Sequence, residues 1–93
     1  TTFSLEQNYP NPFNPNTMIS FNLNEQNENT RLNIYDINGN HVISLLDGFM
    51  SEGYHSVEWN AVDKYGSNVP AGIYFYSLQA GNIVFTRKMI LLK

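Results

Sequence analysis

The stretch Gly72-Ile73-Tyr74-Phe75-Tyr76-Ser77-Leu78 alternates two faces of large side chains directly after Val69-Pro70-Ala71. Period-two alternation bounded by proline and glycine reads as a half-buried antiparallel strand. The chain then closes on Lys88-Met89-Ile90-Leu91-Leu92-Lys93, an apolar run bracketed by lysines. Chain ends are ordinarily frayed and polar. An apolar end must be packed down or read by a partner.

The same period recurs upstream. From Thr17, Ile19, Phe21 and Leu23 share one face against Met18, Ser20 and Asn22. The polar stretch Asn24 to Asn29 reads as a loop, and Leu32, Ile34 and Tyr35 as the next strand. Asp36-Ile37-Asn38-Gly39-Asn40 is a hairpin turn, because Asn-Gly supplies the positive φ values that tight hairpins need. Val42 to Leu46 returns as the partner strand, and Asp47 to Gly53, with Phe49 and Met50, reads as a glycine-bounded loop. His55, Val57 and Trp59 alternate against Tyr54, Ser56 and Glu58. A long loop from Asn60 to Ala71 precedes the strand Ile73 to Gln79, and Ala80-Gly81-Asn82 turns into a final strand towards Leu92. Six or seven closely spaced strands without a helical stripe predict an all-β protein, an antiparallel immunoglobulin-like β-sandwich of about seven strands. Trp59 is the candidate for the inter-sheet tryptophan of such sandwiches.

Ahead of the strands lies Tyr9-Pro10-Asn11-Pro12-Phe13-Asn14-Pro15-Asn16. Proline fixes φ, lacks a donor and drives its predecessor towards extended conformations, so no helix forms here. Tyr9 and Phe13 are expected to plug into the core, which makes residues 1–16 a docked entry segment of one domain spanning 1–93. The start, Thr1-Thr2-Phe3, has neither an initiator methionine nor a basic-then-apolar leader. The chain is therefore expected to be the C-terminal piece of a longer protein whose own leader lies upstream.

Composition excludes several functions. Ninety-three residues suffice for one self-folding core. A net charge of −3, with basic residues only at Arg31, Lys64, Arg87, Lys88 and Lys93, leaves no footprint for nucleic acid. The absence of cysteine excludes disulfides and thiolate metal sites. No run approaches the roughly twenty apolar residues that cross a bilayer as a helix. His41 and His55 stand without a partner at ligand spacing, and no nucleophile elbow occurs. The expectation is a non-enzyme without a cofactor. Asp36, Asn38 and Asn40 in one loop, with Asn60, Asp63 and Asn68 in another, are the oxygen-bearing candidates for calcium. They lack the downstream bidentate glutamate and flanking helices of an EF-hand, and turn-forming Asx residues explain them more simply. Tyr54, Tyr74 and Tyr76 are candidates for a sugar-stacking face, although strand tyrosines are ordinary core residues.

These motifs, in this order, resemble a known family. Tyr9-Pro10-Asn11-Pro12-Phe13-Asn14-Pro15 leads to the strand Ile19–Leu23, then Ile34-Tyr35-Asp36-x-x-Gly39 and Gly53-Tyr54-His55 before Trp59. Asp63-x-x-Gly66, Pro70-Ala71-Gly72-Ile73-Tyr74 and Lys88-Met89 follow. The pattern is similar to the C-terminal sorting domain of the type IX secretion system and to the immunoglobulin-like module of the flagellar hook-capping protein. In this family an acid and then glycine often follow the tryptophan, whereas here Asn60 and Ala61 do. That departure weakens an inherited metal site. The resemblance implies an address tag covalently linked to upstream cargo, and the turn signals and length lead us to expect a monomer. Its partners would be an outer-membrane translocon and a sortase, and its destination the medium or the surface of a Gram-negative cell. Gly72, Tyr74, Lys88, Met89, Leu91, Leu92 and Lys93 are the expected recognition residues. Tyr9, Pro10, Pro12, Phe13, Pro15, Gly39, Trp59 and Gly66 are the expected structural ones. The alternative is a structural or glycan-binding accessory module of a secreted hydrolase.

Overall fold

The computed structural model describes residues 3–92, the side chain of Glu28 excepted. Its strands are β1 Ser4–Leu5, β2 Thr17–Leu23, β3 Asn27–Asp36, β4 His41–Met50, β5 Gly53–Trp59, β6 Gly72–Ala80 and β7 Ile83–Leu91. They form two antiparallel sheets, ordered β1-β2-β5 and β4-β3-β6-β7. The fold is an all-β immunoglobulin-like sandwich, as the alternation predicts.

One face of each sheet supplies the core. Thr17, Ile19, Phe21 and Leu23 point inward from β2, and Trp59 closes β5. Opposite them lie Leu32 and Ile34 of β3, Tyr74, Tyr76 and Leu78 of β6, and Met89 and Leu91 of β7. Trp59 meets Phe13 on one side (centroids 5.8 Å apart) and Tyr74 on the other (5.4 Å), and its indole N–H donates to the Val62 carbonyl. It fills the inter-sheet position.

Two stretches expected as loops are strands. Asn27 to Asn29 belong to β3, and Asp47 to Met50 belong to β4, with Asn27 paired to Met50 and Thr30 to Gly48. Polar residues and a glycine suggested loops because the pattern breaks there. Register shifts between Asn27 and Thr30, and at two further points of this pair, show that bulges interrupt the alternation while pairing continues. The short β1 has no two-residue signal of its own and is placed by pairing Ser4 with Asn22 and Leu5 with Phe21.

The entry segment changes sheets. β1 pairs with β2, Tyr9 bridges Met18, and Phe13 then bridges Leu91 of the other sheet in parallel. The chain thus runs from the edge of one sheet to the edge of the second. Prolines 10, 12 and 15 sit along the crossing, each after a cis peptide bond, where extended geometry without ladder donors is needed.

Candidate functional site: the C-terminal pole

The end of β7 is held on both sides. Towards β6, Leu91 pairs with Gly72, Met89 with Tyr74 and Lys88 with Phe75. On its outer edge the entry segment takes the groups that would otherwise face water. Gln7 Nε2 donates to the Lys88 carbonyl (2.7 Å), and the Ile90 N–H donates to Asn11 Oδ1 (3.0 Å). Phe13 N–H donates to the Ile90 carbonyl (3.0 Å), and Leu92 N–H donates to the Phe13 carbonyl (2.8 Å). Beneath this clasp the Tyr76 hydroxyl donates to the Glu6 carbonyl and accepts from the Asn8 N–H. Burial pushes that hydroxyl above the usual tyrosine range. Asn8 and Thr17 are buried, and their side chains bond each other and both reach the Pro10 carbonyl. Among the described residues no buried side-chain nitrogen or oxygen lacks a partner.

This arrangement corrects the expected mode of recognition. Met89 and Leu91 are buried, so in the folded domain neither side chain meets a partner. The terminal backbone edge is not an open strand either, because the clasp occupies it. Lys88 and Leu92 remain on the outside, Leu92 with 53% of its surface exposed. Lys93 lies outside the described residues.

Gly72 and Tyr74 line a cleft of about 400 Å³ at this pole, together with the calcium candidates Asp36, Asn38 and Asp63. Sequence separates these residues widely, but pairing of β3 with β6 sets Asp36 opposite Tyr74. The cleft walls are two copies of one turn. Asp36 Oδ1 accepts the N–H groups of Asn38 and Asn40, while the Gly39 N–H returns to the Asp36 carbonyl. Asp63 Oδ1 accepts those of Tyr65 and Ser67, while the Gly66 N–H returns to the Asp63 carbonyl. Gly39 and Gly66 carry nearly equal positive φ, 85° and 84°, which a side chain adopts only at a cost. The N–H bond from Asn40, ahead of the other contacts, holds the Asp36 carboxyl below the usual aspartate range. These carboxylates act as turn anchors, and no group of three or more His, Cys, Asp or Glu side chains able to hold a metal ion exists among the described residues. Tyr74 donates to the Pro70 carbonyl (2.6 Å), which ties the start of β6 to its loop.

The remaining sequence candidates sort by burial. Phe13, Trp59, Tyr74 and Tyr76 are core, which removes the last two from any sugar-stacking face; Tyr54 is exposed on the opposite sheet. Tyr9 is exposed as well, so of the two entry aromatics only Phe13 plugs the core. The expectation for Tyr9 fails because its backbone, not its ring, docks: it exchanges N–H···O bonds with Met18. Ala61 holds a positive φ of 61° while buried. It occupies the place where the resembled family often has glycine.

The FlgD Ig-like domain model matches residues 11–83. The chain belongs to this family. Among solved structures, FlgD from P. aeruginosa is 27% identical with a TM-score of 0.64, covering 81% of this chain and 57% of its own. PorZ from Porphyromonas gingivalis, described as an essential surface component of the type-IX secretion system, is 19% identical (TM-score 0.66) over 97% of this chain. Dimeric latent PorU from the same organism is 22% identical (TM-score 0.69), also over 97%. This chain spans little more than half of the FlgD chain, 12% of PorZ and 9% of PorU. The last two likenesses concern the fold. No curated protein sequence matches the chain.

Proposed function

We propose that this chain is a non-catalytic sorting domain. It directs a larger protein, joined to its N-terminus, across the outer membrane for release or surface attachment, with a translocon and a sortase as partners. The observation that carries the reading is the C-terminal strand, clasped by hydrogen bonds from the entry segment as far as Leu92. A translocon that handles many passengers must read features independent of cargo, and a fixed pole presenting Lys88, Leu92 and the adjoining cleft supplies them. The shared sandwich of the two type-IX components supports the assignment at the level of fold.

Removing Met89 to Lys93 is not a clean test, because it also removes two core side chains. The informative variant is Lys88→Ala with Leu92→Ala, two outward positions whose truncation costs roughly 0.5 kcal/mol or less each. In a type IX-competent host, a reporter fused to the N-terminus is expected to reach the surface or medium with the native chain. The double variant should leave it in the periplasm at unchanged thermal stability. Equal export by both would point to a structural accessory module instead.

A further inference from the structure

The first half of β7 differs from its clasped end. Ile83, Val84 and Phe85 are 45%, 54% and 40% exposed, three consecutive large apolar residues on a sheet edge. Their backbone polarity follows from the clasp. Outward groups at Lys88, Ile90 and Leu92 bond the entry segment, so with a strand period of two Val84 and Thr86 also point N–H and C=O away from β6. β1 belongs to the other sheet and approaches this edge with a side-chain contact, Arg87 Nε to the Leu5 carbonyl (2.6 Å). Between the two strands opens a cleft of about 260 Å³ lined by Phe3, Ser4, Leu5, Phe85, Thr86 and Arg87. The Phe3 and Phe85 rings meet edge to face at 5.0 Å.

We propose that Ile83 to Arg87 is a strand-addition site for an extended segment of another protein, one with alternating apolar side chains and an acidic residue. An apolar edge whose outward main-chain groups at Val84 and Thr86 have no backbone partner among the described residues is a template for pairing. Alternate apolar side chains of the added strand would enter the Phe3–Phe85 cleft. The acid follows from charge: Ile83 to Arg87 carries the cation Arg87 and no acidic residue, and among the described residues the ion pair formed is Arg31 with Asp47. A second copy of the chain brings the same cation and no carboxylate on this strand, so it is the poorer occupant. The site uses the half of β7 that the export reading does not, and stands whether or not that reading holds.

The test is a titration of the isotope-labelled 93-residue chain with an acetylated hexapeptide of alternating valine and threonine carrying one glutamate. Saturable amide shifts centred on Ile83 to Arg87 are expected. Thr86→Pro deletes one outward N–H and leaves the β6 ladder intact, which sheet edges tolerate. It should weaken binding at least about tenfold while the melting midpoint moves by no more than about 5 °C. Should that variant unfold, a peptide N-methylated at alternate residues tests the same bonds on the native chain and must bind at least about tenfold more weakly. Replacing the peptide's glutamate by lysine should weaken binding several-fold at low salt. Lack of saturation at roughly 2 mM peptide would overturn the proposal. So would shifts mapping elsewhere, or concentration-dependent shifts of the same residues without peptide, which would mean self-pairing.

Discussion

The two halves of β7 have the same partner strand and opposite fates. From Lys88 onward, the inward Met89 and Leu91 are buried in the core that holds Phe13, Trp59 and Tyr74, and outward backbone groups meet Gln7, Asn11 and Phe13. From Ile83 to Arg87 every residue is exposed, although Ile83, Val84 and Phe85 are as apolar as Met89, Ile90 and Leu91. Composition therefore does not decide which half is core. The deciding term is what the other sheet and the entry segment place beside it, since burial stabilises in proportion to the apolar area covered.

Cutting the stack is the strongest way to break this contrast. Trp59→Ala and Phe13→Ala should each cost roughly 3–5 kcal/mol by denaturant unfolding, the first by opening the inter-sheet position and the second by also releasing the clasp. Phe85→Ala, of the same type as Phe13→Ala but in the open half, should cost less than about 1 kcal/mol. If the two phenylalanine variants were equally destabilised, the halves would not differ. Within the clasp, Asn8→Ala leaves the buried Thr17 hydroxyl without its donor, while the Pro10 carbonyl keeps the Thr17 hydroxyl, at about 1–3 kcal/mol. At the cleft, Gly39→Ala and Gly66→Ala should each cost about 1–2 kcal/mol from left-handed strain alone, since nothing lies within 4 Å of an added Cβ. Similar losses for both would sharpen the view of the cleft as one turn used twice.

The smallest effect is electrostatic. Asp36 has a lowered pKa in the folded chain, so its stabilising contribution is complete above the unfolded aspartate range and is lost as pH falls through the folded value. Acid titration followed by NMR should place its midpoint below the ordinary aspartate value of 3.8. Asp36→Asn should flatten the stability profile below about pH 4 and leave the neutral region's slope unchanged.

Sequence reading reached the elements whose alternation is local. β2, β5 and β6 keep period two from end to end, and their inward residues were legible. Asn27–Asn29 and Asp47–Met50 were not, because bulges break the period and Gly48 mimics a loop while the ladder continues. The candidate site was legible as single residues: the glycines of both Asp-x-x-Gly turns, Gly72 and Tyr74 at the start of β6, and the apolar terminus. Their assembly was not. Asp36, Asp63 and Tyr74 share a cleft only because β6 pairs with β3 and the long loop folds beside them. That Met89 and Leu91 face inward while Lys88 and Leu92 do not depends on register, and the clasp depends on a segment some eighty positions away.

Hydrogen exchange along the outer edge of β7 tests the contrast most directly. The amides of Ile90 and Leu92 should exchange only on global unfolding, with protection of about a thousandfold or more, whereas those of Val84 and Thr86 should be protected about tenfold or less. Equal protection across the strand would contradict the account, whether it arose from an open clasp or from a first half that is already paired.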